Sequence, residues 1–77
     1  TRRSSDLLPA ELRAKLTVYD ALGRTVAVVL DRTLGPGVHE TVWNGRADSG
    51  SSVGSGLYLY RFEAGAFKAH GKMLLVR

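Results

Sequence analysis

Apolar positions along this chain recur every second residue in short bursts, and each burst stops at a glycine, a proline or an Asn-Gly pair. Residues 15–20 set the pattern: Leu16 and Val18 fall on one side of an extended chain, Thr17 and Tyr19 on the other, the period of two that a half-buried strand requires. Ala21-Leu22-Gly23-Arg24 then reads as a turn, with Gly23 supplying a positive φ. Thr25–Leu30 is rich in β-branched residues and apolar on both faces, as befits the returning arm of a hairpin. Asp31–Leu34 leads to Gly35-Pro36-Gly37, which cannot lie inside a strand, so a loop is expected there. Extension resumes over Val38–Trp43 and ends at the turn dipeptide Asn44-Gly45.

From Arg46 to Gly56 the chain is rich in serine and glycine, with Val53 its one large apolar residue, and reads as a surface connection pinned at its middle by Val53. Leu57–Glu63 is apolar on both alternating sets, which predicts a central strand covered on both sides. Ala64-Gly65 turns the chain into a last arm over Ala66–Arg77, with a bulge or kink expected at His70-Gly71. Residues 1–12 carry the weakest pattern: a weakly structured segment or the remnant of a first strand, with either a short helical turn at Pro9-Ala10-Glu11-Leu12 or a loop leading into residue 13. No segment sustains a period of 3.6. The fold class is therefore all-β: an Ig-like antiparallel β-sandwich of about six to seven short strands over residues 13–77.

At 77 residues the chain is one domain with a modest core. It has no cysteine, so neither disulfides nor a thiolate metal site stabilises it. The formal charge of +4 permits weak attraction to polyanions, but the basic residues are scattered along the sequence, and solubility explains them better than a specific nucleic-acid footprint. No apolar run approaches the ~20 residues of a membrane span. A chain opening at Thr1 without methionine reads as a fragment of a longer polypeptide.

Six segments, in order, carry a family resemblance. They are Tyr19-Asp20-Ala21-Leu22-Gly23-Arg24, Pro36-Gly37-Val38-His39, Trp43-Asn44-Gly45-Arg46 with Asp48 and Gly50, Val53 before Ser55-Gly56-Leu57-Tyr58, Arg61 with Ala64-Gly65, and the closing Lys72-Met73-x-Leu75-x-Arg77. Together, over about residues 12 to 77, they closely resemble the C-terminal sorting domain of type IX secretion cargo, which is related to the Ig-like module of the flagellar hook-capping protein. The resemblance implies a non-catalytic domain that directs a larger secreted protein through an outer-membrane translocon of a Gram-negative, Bacteroidetes-type bacterium. It further implies a secreted or cell-surface location and possible attachment to anionic lipopolysaccharide. Lys72, Met73, Leu75 and Arg77 are the candidate recognition residues; Tyr19, Gly23, Trp43, Gly45, Gly56 and Tyr58 form the structural motif. One departure stands out: family members usually open with a Pro-Asn-Pro-Phe-type segment and an apolar strand, whereas Thr1–Asp6 is polar. The first strand is thus expected to be lost or differently built, leaving a sheet edge exposed.

Each chemical candidate has a plainer reading. Trp43 suits a sugar-stacking platform, but more readily a core residue beside its turn. Asn44, Asp48 and Ser51 offer oxygens for Ca²⁺, yet one carboxylate is few for such a site and turn formation is favoured. His39 and His70, with Glu40 or Asp31, show no metal spacing, so no cofactor and no catalysis are expected. Tyr19, Tyr58, Tyr60, Phe62 and Phe67 are better used as core than as an exposed aromatic strip. Lys72 and Arg77 stand five apart and face opposite sides of a strand, so recognition would involve the whole terminal strand. Two other functions compete with sorting: an accessory carbohydrate-binding or spacer module, and a flagellar hook-capping assembly domain.

Overall fold

The computed structural model describes residues 2–8 and 10–76, and for residues 2–7 and 40 the backbone alone. Six strands follow one another: β1 (Arg2–Leu8), β2 (Leu12–Asp20), β3 (Thr25–Leu34), β4 (Gly37–Trp43), β5 (Gly56–Ala64) and β6 (Phe67–Leu75). The described residues contain no helix. Every pairing is antiparallel, with β1 and β4 forming a two-stranded sheet and β3-β2-β5-β6 a four-stranded one. This is an all-β, Ig-like sandwich.

Alternation decides which side of the larger sheet is covered. Ala14, Leu16 and Val18 of β2 and Tyr58, Phe62 and Ala64 of β5 turn inward and are buried. They meet Leu8 of β1 and Trp43 of β4, the described contributions of the smaller sheet to the core. Two clusters result. Leu8, Ala14, Leu16, Leu34, Phe62 and Ala64 fill one end, and Val18, Trp43, Tyr58 and Leu75 fill the other. Val29 packs against both and joins them. At about 1.5–3 kcal/mol for each large side chain removed from water, Phe62, Leu16 and Val18 are the main apolar contributions of the central strands.

Several sequence expectations change on contact with the fold. β3 does not stop at Leu30 but continues through Asp31, Arg32 and Thr33 to a buried Leu34, pairing Leu12–Leu16 all the way. Its polar residues resemble a loop because they lie on an exposed strand at the sheet margin. The doubly apolar stretch Thr25–Leu30 has a specific cause as well: the register skips Val29 between Leu16 and Thr17, and Val26 between Val18 and Tyr19. These bulges turn both valines toward the core, where they pack on the cluster around Val18. No such irregularity occurs at His70-Gly71, since β5 and β6 stay in register from Gly56–Leu75 to Ala64–Phe67.

β5 is central, as read from the sequence, but only one of its faces is packed. Tyr58 and Phe62 are buried, whereas Leu57 on the opposite face is 45 % exposed and Arg61 is exposed. The polar N-terminal run forms β1, paired over Arg2–Leu8 with Trp43–Gly37 of β4. Pro9 of the expected helical turn lies outside the described residues; Ala10 is a bend and Leu12 already belongs to β2.

Candidate functional site

The motif residues divide between core and surface. Trp43, Tyr58, Met73 and Leu75, far apart in sequence, converge on one cluster with Val18, and Val53 pins the loop to that cluster. Trp43 is 4 % exposed, its ring meets Tyr58 edge-on at 5.1 Å between centroids, and its indole N–H donates to the Arg46 carbonyl at 3.0 Å. With its faces covered, the ring offers no stacking platform. Tyr58 donates its hydroxyl to the Gly54 carbonyl at 2.7 Å, tying the start of β5 to the loop before it in the manner of an Ig-domain tyrosine corner.

The recognition candidates are split by the same alternation. Lys72 is exposed on the outward face of β6, Met73 packs on the core cluster, and Leu75 is 4 % exposed within it. Arg77 lies outside the described residues. Of this strand the folded domain presents Lys72 and the 57 % exposed Leu74 to solvent, while Met73 and Leu75 hold the strand in place.

Tyr19 and Gly23 belong to the β2–β3 connection, and Asp20 organises it. Asp20 Oδ1 accepts the amides of Leu22 and Arg24 at 3.0 and 2.9 Å, Oδ2 accepts Arg24 Nε at 2.8 Å, and the Asp20 amide donates to the Arg24 carbonyl. The Gly23 amide donates to the Asp20 carbonyl with φ at 85°, a conformation that a side chain would strain. The Arg24 amide above all, opposed by partial desolvation and helped by the Arg24 guanidinium and the Leu22 amide, holds the Asp20 carboxyl below its ordinary range.

The loop after Trp43 is built rather than slack. Asn44 Oδ1 accepts the Arg46 amide, Gly45 accepts the Val53 amide, Arg46 bridges to Ser52, and the Arg46 guanidinium donates to the Gly50 carbonyl. This hairpin carries Asp48 to the margin of β3, where its carboxylate accepts the Val28 amide at 3.1 and 3.2 Å and its amide donates to the Val26 carbonyl at 3.1 Å. Asp48 acts as a strand cap and Asn44 as a turn former. Sequence spacing gave no hint of the Asp48 role, because its partners lie 20 residues away.

The imidazoles are not brought together: His39 contacts the Gly35 carbonyl through Nε2 on β4 of the small sheet, and His70 stands on β6 of the large one. Among the described residues no group of three or more His, Asp or Glu side chains is placed to hold a metal ion. The aromatic strip also divides. Tyr58 and Phe62 are buried, Tyr60 packs on the core, Phe67 lies edge-on to Phe62 at 6.1 Å, and Tyr19 stands on the outward face.

That outward face holds the main surface feature. Tyr19, Leu59 and Lys72 form one row across β2, β5 and β6, and Thr17, Arg61 and His70 form the next. Tyr19, Leu59, Arg61, His70 and Lys72 line a shallow depression of about 790 Å³. Arg61 and Lys72 form no ion pair among the described residues, so its rim carries two unpaired cations.

No curated protein and no solved structure matches this chain. Residues 5–68 match the family model described as the FlgD Ig-like domain, and the chain, with most of its length inside that match and its strands arranged as an Ig-like sandwich, belongs to the FlgD Ig-like domain family.

Proposed function

We propose that this chain is a non-catalytic sorting and surface-attachment module, read by a type IX outer-membrane translocon and carrying a larger secreted protein with it. The family is a structural, non-enzymatic domain, which supports a role in attachment or assembly. The observation that carries the finer reading is the closing strand. The family match ends at residue 68, and Lys72-Met73-x-Leu75-x-Arg77 follows it on a strand that is folded into the sheet through Leu75. In this reading the translocon meets the folded sandwich at Lys72 and Leu74 with the cargo lying upstream, and the cargo ends secreted or held at lipopolysaccharide on the cell surface.

The test fuses residues 1–77 to a fluorescent passenger behind an export signal in a type IX-competent cell. Passenger at the surface or in the medium supports the reading, and a folded fusion retained in the periplasm overturns it. Removing residues 72–77 is a poor control, because it takes Met73 and Leu75 out of the core. Lys72→Glu, on an exposed side chain, separates recognition from folding.

The family match itself favours a second reading, an assembly module of the flagellar hook-capping kind. That reading expects association with flagellar partners and no export of the passenger.

A further inference from the structure

The four-stranded sheet treats its two margins differently. At β3, Asp48 occupies the edge at Val26 and Val28 with its backbone amide and its carboxylate. At β6, nothing among the described residues pairs with the outer edge, which runs over Phe67–Leu75 without a bulge or a proline. An open edge of that length is a template for another strand.

Its side chains restrict which strand that is. Lys68, His70 and Lys72 alternate along β6, all exposed on the outward face, and cross-strand Arg61 lies beside His70. Their spacing is that of alternate residues in any extended chain, about 6.6–6.8 Å. A second copy of β6 would be repelled: antiparallel pairing about His70 sets Lys68 against Lys72 twice, and like charges directly opposed destabilise a ladder. Glu63, opposite Lys68, is the one acid on this part of β5 and β6 and forms no ion pair among the described residues.

We infer that the β6 edge accepts an extended acidic segment of a partner polypeptide, added as a fifth strand with carboxylates at alternate positions facing Lys68, His70 and Lys72. Main-chain hydrogen bonds to the open edge supply affinity, and the two lysines, with the His70 ring between them as a hydrogen-bonding group, select acidic sequence and set register. The inference does not rest on the sorting reading, since the binding is measured with purified components and involves no translocon.

The probe is a fluorescein-labelled peptide as long as β6, with glutamate at every second position and valine or threonine between, titrated into the chain by anisotropy. Saturable binding is expected, weakening as added salt shortens the screening length from about 10 to about 3 Å. The Lys68→Glu/Lys72→Glu chain should bind about tenfold or more weakly, and Lys68→Gln/Lys72→Gln should fall between; both sites are exposed, and circular dichroism verifies the fold. A peptide N-methylated at alternate residues along the docking edge should not bind, whereas methylation along the other edge should be tolerated. In amide NMR spectra the shifts should centre on 67–75. Equal binding of both methylated peptides, or of a polyuronate at matched charge, would reduce the effect to a diffuse field and overturn the inference. So would tighter binding of an uncharged valine-threonine peptide.

Discussion

Tyr60 and Gly71 face each other across β5 and β6, and the phenol ring occupies the space that a side chain on residue 71 would fill. A Cβ built at Gly71 would lie 2.6 Å from the Tyr60 hydroxyl oxygen and 2.7 Å from two ring carbons. An aromatic ring laid over a cross-strand glycine offsets the weakness that glycine brings to a strand.

Gly71→Ala should therefore destabilise the domain by about 1–3 kcal/mol, because the ring must leave a packed position. In a Tyr60→Val background the same change should be neutral or mildly stabilising, since alanine costs less backbone entropy than glycine. A double-mutant cycle from urea denaturation reads the coupling, and additive effects would deny the contact.

Asp48→Ala removes the cap on the β3 edge. The loss in folding free energy should be small, about 1 kcal/mol, because the carboxylate is exposed and its hydrogen bonds compete with water. Self-association should respond more strongly: with the Val28 amide uncovered, the β3 margin gains a free donor for another strand, while the backbone amide of residue 48 stays on the Val26 carbonyl. Sedimentation velocity should show concentration-dependent dimers for Asp48→Ala and far fewer for Asp48→Asn, which keeps an acceptor in place.

Trp43 and the cluster around it separate core from surface experimentally. Trp43→Ala should cost about 3–5 kcal/mol, a loss that a domain of this size cannot absorb, so its cooperative urea transition by circular dichroism should disappear. Trp43→Phe retains much of the ring contact with Tyr58 but drops the donor to Arg46, and should cost about 1–2 kcal/mol with the transition intact. A sugar-binding role would instead predict lost ligand retention at unchanged stability.

What the sequence discloses and what it conceals follow from the range of the forces involved. Strand alternation and turn residues act within a few positions, so β2, β4, β5 and the turns at Gly23 and Asn44-Gly45 are readable directly. Residues 31–33 are strand because Leu12–Leu16 pairs with them and Leu34 anchors their end, neither of which is local. Gly71 resembles a breaker until Tyr60 is placed over it. The inward turn of Val26 and Val29 depends on two register skips against β2, invisible in a run that is apolar at most positions. In the closing Lys72-Met73-x-Leu75 segment, type and order are legible, but only the register of β6 shows that Met73 and Leu75 are core while Lys72 faces out.

Asp20 links the β2–β3 turn to pH. Its carboxylate, not its carboxylic acid, accepts from the Leu22 and Arg24 amides and the Arg24 guanidinium, and these bonds hold its folded-state pKa below the ordinary 3.8. A carboxyl with a depressed pKa contributes stability that is fully present above its unfolded value and fades as pH falls through the folded one. The urea midpoint should thus be insensitive to Asp20 from neutral pH down to about 5 and decline below about 4. Asp20→Asn should lower the midpoint at neutral pH and flatten this acid limb, so the two curves converge as the wild-type carboxyl protonates. Parallel curves down to the most acidic point would show that the turn is held by Gly23 and the backbone alone.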